Sequence, residues 1–197
     1  MIKNVILDMG NVLITFDPEV SINKYCKIDE EKDIIRKELF QSKEWIMSDG
    51  GEIKNNELFD RVKNRVPEKF HESLKNCAEH WDICTTPIKG AKEFCDYIKK
   101  KKYGMYILSN ANEKFYEYFP NSFSLDLFDG IVLSSQIHIV KPNEGSFKYV
   151  LDKYKLNPEE CLFIDDKDYN VVAAEKLNIK AEVFTDNFNE KIKKYNL

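Results

Sequence analysis

Three short apolar segments, each followed directly by polar side chains, constrain the fold of this chain more than any other feature. The segments and the polar residues after them are 5–7 with Asp8, 105–108 with Ser109 and Asn110, and 161–164 with Asp165 and Asp166. Such unbroken apolar runs are typical of strands that are buried on both faces within a parallel sheet. Because the carboxyl ends of parallel strands open on one edge of the sheet, we expect these polar side chains to converge.

Amphipathic patterns alternate with further strand-like segments in the second half of the chain. Residues 88–98, 147–154 and 171–177 carry apolar side chains at helical spacing, whereas 130–133 and 181–184 are short apolar runs. Strands that alternate with helices predict right-handed crossovers and a parallel sheet covered by helices on both faces. The predicted fold class is therefore α/β, with a three-layer Rossmann-like core.

Residues 17–85 differ from this pattern, because they show helical spacing and little strand signal. Three helices are predicted within them, over 29–40, 55–66 and 67–81. The sequence thus predicts a small helical bundle of residues 17–85, inserted into a discontinuous core of residues 1–16 and 86–197.

The composition excludes several classes of protein. The 197 residues carry a net charge of −4, whereas a nucleic-acid-binding protein needs a basic face. No apolar run approaches the ~20 residues of a transmembrane helix, and the early first strand leaves no room for a signal peptide. Five scattered cysteines without a CxxC pair indicate reduced thiols. We therefore expect a cytoplasmic protein that binds neither nucleic acid nor membranes.

The residues at the predicted sheet edge have the chemistry of a phosphate and metal site. Lys141 adds an ammonium group to the carboxylates and to the Ser109 hydroxyl. A hard divalent cation such as Mg²⁺ prefers oxygen ligands. Asp8, Asp166 and a backbone carbonyl of the Met9-Gly10 turn can supply them. The sequence thus predicts a phosphate site beside Mg²⁺.

Each of these residues also has a purely structural explanation. Asp8 would then be a turn or cap residue, Ser109 a helix cap, and Lys141 a surface lysine before a proline. Asp165 and Asp166 would form the acidic start of a helix. Asn170 would be an ordinary residue at the start of a helix, where asparagine is favoured.

Four segments resemble, in order, the motifs of the haloacid dehalogenase superfamily, and the resemblance covers essentially the whole chain. The segments are ILDMGNVL, YILSNAN, IVKPN and LFIDDKDYNVVAAEKL. Residues 17–85 resemble the small helical cap of that superfamily. Gly51-Glu52-Ile53 within them points to the branch of sugar-phosphate phosphatases and of the phosphatase domain attached to epoxide hydrolases. The resemblance implies a Mg²⁺-dependent phosphatase that acts on a small soluble phosphorylated metabolite.

The resemblance assigns roles in phosphate chemistry to four residues. Asp8 would attack phosphorus and become an aspartyl phosphate. Ser109 and the Asn110 backbone would bind phosphoryl oxygens, and Lys141 would neutralise charge on the nucleophile and the phosphate. These roles agree with the physics of phosphoryl transfer, which depends on positioning and charge compensation.

The resemblance also implies a set of metal ligands. Asp8, the Gly10 carbonyl and Asp166 would hold Mg²⁺ directly. Asp165 would bind the ion through a water molecule or would orient Lys141. Asn170 would contact these side chains rather than the ion.

Gly10 departs from the pattern of the superfamily's phosphatases. Those enzymes carry a second aspartate there, which protonates the leaving group and later activates water. A general acid and base of this kind is worth ~10² to 10⁴ in rate. We therefore hypothesise a preference for leaving groups that depart without protonation, such as anomeric sugar or aryl phosphates. Asp17 is a candidate substitute, but Asp17-Pro18 is explained more simply as a helix start.

Other functions stay open at this stage, among them a phosphotransferase or mutase, which is less favoured because a mutase must reprotonate the sugar and Gly10 offers no side chain for this. A 2-haloacid dehalogenase also lacks the second aspartate, but it needs no metal and does not keep a pair such as Asp165-Asp166. A catalytically silent binding module of the same fold would explain Gly10. The resemblance alone suggests a sugar phosphate as substrate, and the sequence does not give the oligomeric state. The aromatic residues interpreted as core rather than as a substrate platform are Phe16, Tyr25, Trp45 and Trp81.

Overall fold

The computed structural model describes residues 1–185 and 187–197. The strands within these residues are β1 (Asn4–Leu7), β2 (Ile14–Phe16), β3 (Thr85–Pro87), β4 (Gly104–Ser109), β5 (Gly130–Leu133), β6 (Cys161–Asp165) and β7 (Lys180–Val183). Five of them form a parallel sheet in the order β5-β4-β1-β6-β7, and β2 pairs with β3 in an antiparallel ribbon. This sheet confirms the predicted α/β class.

Helices cover both faces of the sheet and fill the segment between β2 and β3. The α-helices are α1 (Pro18–Tyr25), α2 (Asp29–Ile35), α3 (Lys43–Asp49), α4 (Leu58–Val62), α5 (His71–Glu79), α6 (Ala91–Lys100), α7 (Phe115–Tyr118), α8 (Ser134–Ile137), α9 (Glu144–Tyr154), α10 (Asp168–Glu175) and α11 (Phe188–Tyr195). A π-helical turn (Arg36–Phe40) extends α2. The 3₁₀ turns are Asn55–Glu57, Lys63–Arg65, Glu68–Phe70, Trp81–Cys84, Phe119–Asn121, Leu125–Leu127 and Pro158–Glu160.

The central strand β1 shows why the fold has three layers. Its side chains alternate between the two faces of the sheet. Val5 and Leu7 join an apolar cluster that contains Phe94 of α6, and Ile6 joins a second cluster with Phe147 of α9. Both faces of β1 are therefore buried, as an unbroken apolar run requires.

The register of the sheet brings three strand ends to one edge. Leu7 pairs with Ile107 of β4 and with Ile164 of β6. Strands β4 and β6 end at Ser109 and Asp165, so the polar residues after all three strands lie side by side. The predicted convergence is confirmed.

The structure differs from the sequence predictions mainly between residues 17 and 85. Helix α3 and the ribbon of β2 and β3 were not predicted, and of α1 only the start at Asp17-Pro18 was. The predicted helix over 67–81 ends at Glu79, because His80 leaves helical geometry (φ −120°, ψ 31°). Asp17 is the N-cap of α1, and its side chain accepts the Glu19 N–H at 3.0 Å, which confirms the helix start.

The helix predicted over 55–66 is divided into a 3₁₀ turn, α4 and a second 3₁₀ turn. The ribbon of β2 and β3 flanks the helical segment, and the division of the chain into a core domain and a cap domain stays a prediction. All five cysteines are buried free thiols, as predicted. Within the described part of the chain, no helix is both long enough and apolar enough to cross a bilayer.

Candidate active site

The turn after β1 places Asp8 and Asn11 at the carboxyl edge of the sheet. The Asp8 N–H donates to a carbonyl of β6 at 2.9 Å, which holds the two strands together where they end. The Met9 carbonyl accepts backbone N–H groups from within the turn. Asn11 has a left-handed φ of 55°, which asparagine tolerates, and its Nδ2 donates to Asp166 Oδ2 at 3.1 Å.

Lys141 lies buried between two carboxylates. Its Nζ is 2.9 Å from Asp8 Oδ1 and 2.6 Å from Asp165 Oδ2, and only 4% of the residue is exposed. Loss of water opposes the charge on the ammonium, but Asp8 and Asp165 outweigh this effect and raise the pKa of Lys141. Burial raises the pKa of Asp8 to about 6, although Lys141 acts in the opposite direction. The explanation of Lys141 as a surface lysine is wrong.

Asp165 is fully buried, and the chain itself satisfies its oxygens. Oδ1 accepts the Lys167 N–H and an amide hydrogen of Asn170, both at 2.9 Å. Oδ2 accepts Lys141 Nζ and, at 3.1 Å, the same Asn170 amide. Helix α10 begins at Asp168 with Lys167 as its N-cap, so Asp165 lies before the helix, and Asn170 lies in the first turn without capping it. The Asp165 side chain holds Lys141, and the Asn170 amide holds Asp165.

Ser109 and Asn110 have different surroundings at the end of β4. Ser109 is buried and lines a cavity at the sheet edge. The Asn110 side chain holds the Lys141 backbone, because its Oδ1 accepts the Lys141 N–H at 2.8 Å and its Nδ2 donates to the Lys141 carbonyl at 3.0 Å. The next helix, α7, has Lys114 as its N-cap, so Ser109 does not cap it. Asn110 therefore positions the lysine through its side chain, which the sequence did not predict.

The acidic residues fit a divalent cation. Asp8, Asp165 and Asp166 each offer a carboxylate oxygen, and these oxygens lie within 4.8 Å of one another. Among residues 1–185 and 187–197, the buried Asn170 Oδ1 has no hydrogen-bond partner, although Asn170 lines the cavity. A cation with bound water would satisfy that atom, since Mg²⁺ usually keeps several waters that donate hydrogen bonds.

A cavity of about 220 Å³ opens over these residues. A charged side includes Asp8, Lys141 and Asp166. An aromatic side is formed by rings that pack on one another, namely Phe16, Trp45, Trp81 and Tyr118, and the exposed Tyr169 also lines the cavity. The interpretation of Phe16, Trp45 and Trp81 as core residues is confirmed by their packing, but the same residues also line the cavity. Tyr25 packs against the core and lies outside the lining.

The cavity also contains residues that sequence reasoning missed. Asp49, the last residue of α3, lines it together with Asn112 and Tyr118. Asn112 is buried and its Nδ2 donates to Ser48 Oγ at 3.3 Å. A sequence signal for Asp49 was its position directly before the Gly50-Gly51 pair, because a glycine pair often marks a tightly packed turn.

Comparisons with known proteins identify the family of this chain. The family model of haloacid dehalogenase-like hydrolases matches residues 4–184. The chain therefore belongs to the haloacid dehalogenase-like hydrolase family, as the order of its motifs predicted.

Two curated relatives in this family are phosphatases by name. Sesquiterpene phosphatase astK of Aspergillus oryzae is 24% identical over 93% of this chain and 90% of its own length. D-ribitol-5-phosphate phosphatase of Bacteroides thetaiotaomicron is 23% identical over 91% of this chain and 90% of its own length. The fold is also that of a family enzyme from B. thetaiotaomicron in complex with magnesium and inorganic phosphate (TM-score 0.75, 22% identity, 97% of this chain and 99% of that chain).

Proposed function

We propose that this chain is a Mg²⁺-dependent phosphomonoester hydrolase that works through an aspartyl phosphate on Asp8. The observation that carries the proposal is the buried Lys141 ammonium, held 2.9 Å from Asp8 at the charged side of the cavity. A cation fixed beside a carboxylate favours the charged nucleophile and attracts a phosphate dianion. The phosphatase relatives and the magnesium and phosphate complex of a family enzyme support this assignment.

The chain's own residues divide the work of phosphoryl transfer. Asp8 attacks phosphorus and forms the covalent intermediate, which divides one hard displacement into two easier ones. Ser109 donates to a phosphoryl oxygen with help from the Asn110 backbone, and Lys141 compensates charge. Asp165 orients Lys141 rather than binding the cation, because its oxygens already accept four hydrogen bonds from the chain.

Asp8, Asp166 and the Gly10 carbonyl would hold Mg²⁺. The Met9 carbonyl is already used by backbone N–H groups of the turn, which leaves Gly10 as the better candidate. The ion, when bound, supplies positive charge for the phosphoryl oxygens. Asn170 would accept a hydrogen bond from ion-bound water through Oδ1, the atom left without a partner among the described residues.

The substrate is a small phosphorylated metabolite, and a sugar phosphate is the candidate that follows from the family branch. The aromatic side of the cavity favours a second candidate, the phosphate ester of an apolar alcohol. Trp45 and Trp81 are 5.4 Å apart, and Phe16 lies 5.6 Å from Trp45. Such a group of rings can bury apolar carbon atoms next to the phosphate, at about 25 cal/mol per Å².

The experiment is a phosphate-release screen over sugar, polyol, nucleotide, aryl and terpenyl phosphates, with Mg²⁺ or with EDTA. We expect Mg²⁺-dependent release, and no release by Asp8→Asn, because the amide oxygen is a poor nucleophile. Halide release from 2-chloropropionate without metal would instead favour a 2-haloacid dehalogenase. Failure on every phosphate, with Mg²⁺ binding intact, would favour the silent binding module.

A further inference from the structure

We propose that Asp49 is the general acid and base of this site, in place of the side chain that Gly10 lacks. The proposal rests on the phosphatase function and adds to it the group that exchanges protons with the substrate and with water. Two observations carry it, the position of Asp49 and the contacts of the other carboxyl groups in the cavity, and the effect of burial on the Asp49 carboxyl group supports it.

Contacts between α3 and the sheet edge fix the position of Asp49. Its carbonyl accepts a hydrogen bond from the Ser134 hydroxyl, and the Asn112 backbone N–H acts on its carboxyl group by lowering the pKa of that group. The next turn is pressed against α8, because a Cβ on Gly51 (φ 76°) would lie 2.4 Å from the Ser135 carbonyl oxygen. Asp49 is thus held rigidly at the cavity, as a proton-transfer group must be.

Asp49 and the nucleophile share one small space. Both residues line the cavity of about 220 Å³, and the charges of both act on Tyr118, whose ring is part of the same wall. Trp45, one turn before Asp49 on α3, also lines the cavity, so this face of the helix points at the site. A leaving group bound beneath Trp45 would therefore be close to the Asp49 carboxyl.

The carboxyl of Asp49 is in the protonation state that the first step requires. Burial raises its pKa to about 8, the Asn112 N–H acts in the opposite direction, and the charge of Glu113 raises the pKa further. Tyr118 stays a neutral phenol, since burial raises its pKa as well. Asp49 is consequently a neutral acid near pH 7, which is what a donor to an alkoxide must be.

The other carboxyl groups that line the cavity have different tasks. Among the described lining residues these are Asp8 and Asp166. Asp8 is the proposed nucleophile, and Asp166 interacts with Asn11 and with Lys167 at 2.9 Å. Asp17, the substitute considered from the sequence, is an exposed N-cap outside the lining. Asp49 is the remaining candidate.

The proton balance closes over the two steps. Asp8 forms a bond to phosphorus, the bond from phosphorus to the ester oxygen breaks, and that oxygen takes the proton of Asp49 and leaves as an alcohol. Water then attacks the aspartyl phosphate and gives a proton to the Asp49 carboxylate. The bond from phosphorus to Asp8 breaks, and inorganic phosphate and both starting side chains are restored.

The test compares two substrates of similar size with different leaving groups. Benzyl phosphate releases an alkoxide that needs a proton, whereas p-nitrophenyl phosphate releases a stable phenolate. We expect the wild type to cleave both. Asp49→Asn should lower kcat/KM for benzyl phosphate by ~10² to 10⁴ and that for p-nitrophenyl phosphate by less than about tenfold. A burst of p-nitrophenol should appear, because hydrolysis of the intermediate becomes slow.

A second variant supplies a gain of function. A Cβ at Gly10 meets nothing within 4 Å, so Gly10→Asp in the Asp49→Asn background should restore at least part of the benzyl phosphate activity. Asp17→Asn is the matched control and should behave as wild type, since asparagine is also a good N-cap. Thermal unfolding of each variant separates catalytic loss from misfolding.

The outcomes distinguish this inference from the proposed function. Equal losses on both substrates, an unchanged Asp49→Asn enzyme, or a wild type that cleaves only p-nitrophenyl phosphate would each overturn the role of Asp49. The phosphatase function would survive them, provided that Asp8→Asn is inert. If the wild type releases phosphate no faster than Asp8→Asn, the phosphatase function fails and the role of Asp49 fails with it.

Discussion

Two buried lysines of this protein have nearly the same exposure and very different surroundings. Lys141 is 4% exposed and Lys191 is 3% exposed. Each has a carboxylate oxygen close to its Nζ, at 2.6 Å for Asp165 and at 2.5 Å for Glu182. Judged by burial and by contact distance alone, the two ion pairs would be equivalent.

The balance of charge around them differs. Glu182 is shared by Lys191 and Lys194, and Lys191 also donates to the Val183 carbonyl. The environment of Lys191 therefore has an excess of positive charge, and this ion pair serves the fold. Around Lys141 the carboxylates are those of Asp8, Asp165 and Asp166. They outnumber the two ammonium groups nearby, which belong to Lys141 and to the half-exposed Lys167. This excess of negative charge lies at the cavity.

The difference shows which feature of a buried ion pair indicates function. A lysine that is paired in a closed environment contributes to the fold, and its net contribution is small once desolvation is counted. A lysine whose carboxylate neighbours outnumber the available cations, beside an open cavity, leaves charge for a ligand to balance. Replacing Lys141 by an apolar side chain should therefore lower the activity, whereas the same replacement at Lys191 should lower the stability and leave the activity unchanged.

The largest effect is expected for catalysis at Lys141. Lys141→Met removes the charge that compensates Asp8 and the phosphate, and loss of one such preorganised group costs ~10² to 10³ in kcat. Steady-state phosphate release checks this. Lys191→Met is the matched control and should keep the wild-type kcat per folded molecule. Equal activity losses in the two variants would contradict the contrast between the lysines.

The sequence was sufficient to predict the sheet and the residues at its edge. Strands β1, β4 and β6 are unbroken apolar runs, and their polar successors converge because parallel strands must end on one edge. The placement of Asp8, Ser109 and Asp165 follows from the order and register of these strands. Local pattern and global fold agree here, and sequence reasoning is strongest in such regions.

The rest of the site depends on contacts that no local pattern contains. Asp49 reaches the cavity because Ser134 holds its carbonyl and Gly51 packs against Ser135. Both contacts join residues that are far apart in the chain. The Asn110 amide was unpredictable for the same reason, since its partner is the Lys141 backbone. Trp45 and Trp81 were interpreted as core, and a ring can be buried and still form one wall of a cavity.

The next effect concerns metal binding, and its readout is unfolding rather than activity. Three carboxylates against one buried ammonium should bind Mg²⁺, and a ligand at 100 times its Kd stabilises the folded state by ~2.7 kcal/mol. A Mg²⁺ titration followed by differential scanning calorimetry should raise Tm. Asp166→Asn should reduce this rise, whereas Glu182→Gln should retain it in full. A rise in Tm that is the same in Asp166→Asn would place the cation elsewhere.

A smaller effect on stability is expected at Lys191. Lys191→Met leaves Glu182 with Lys194 and Tyr195, so the carboxylate is not left unpaired and the loss should be about 1–3 kcal/mol. Chemical denaturation measures it as a lower midpoint at unchanged slope. An unchanged or higher midpoint would mean that the methionine side chain packs as well as the ion pair it replaces.

The smallest effect is a pH dependence that belongs to the Glu182 pair. Burial alone would raise the pKa of Glu182, but Lys191 and Lys194 outweigh it and lower the pKa from 4.5 to about 2. The folded protein therefore binds fewer protons than the unfolded chain between these values, and stability must fall as pH falls through them. The Tm difference between wild type and Glu182→Gln should be constant above about pH 5 and shrink toward pH 2. The matched control is Glu175→Gln, which changes an exposed carboxylate at the end of α10. If both variants follow the same curve, the lysines around Glu182 do not stabilise its charged form, and the contrast with Lys141 would rest on the cavity alone.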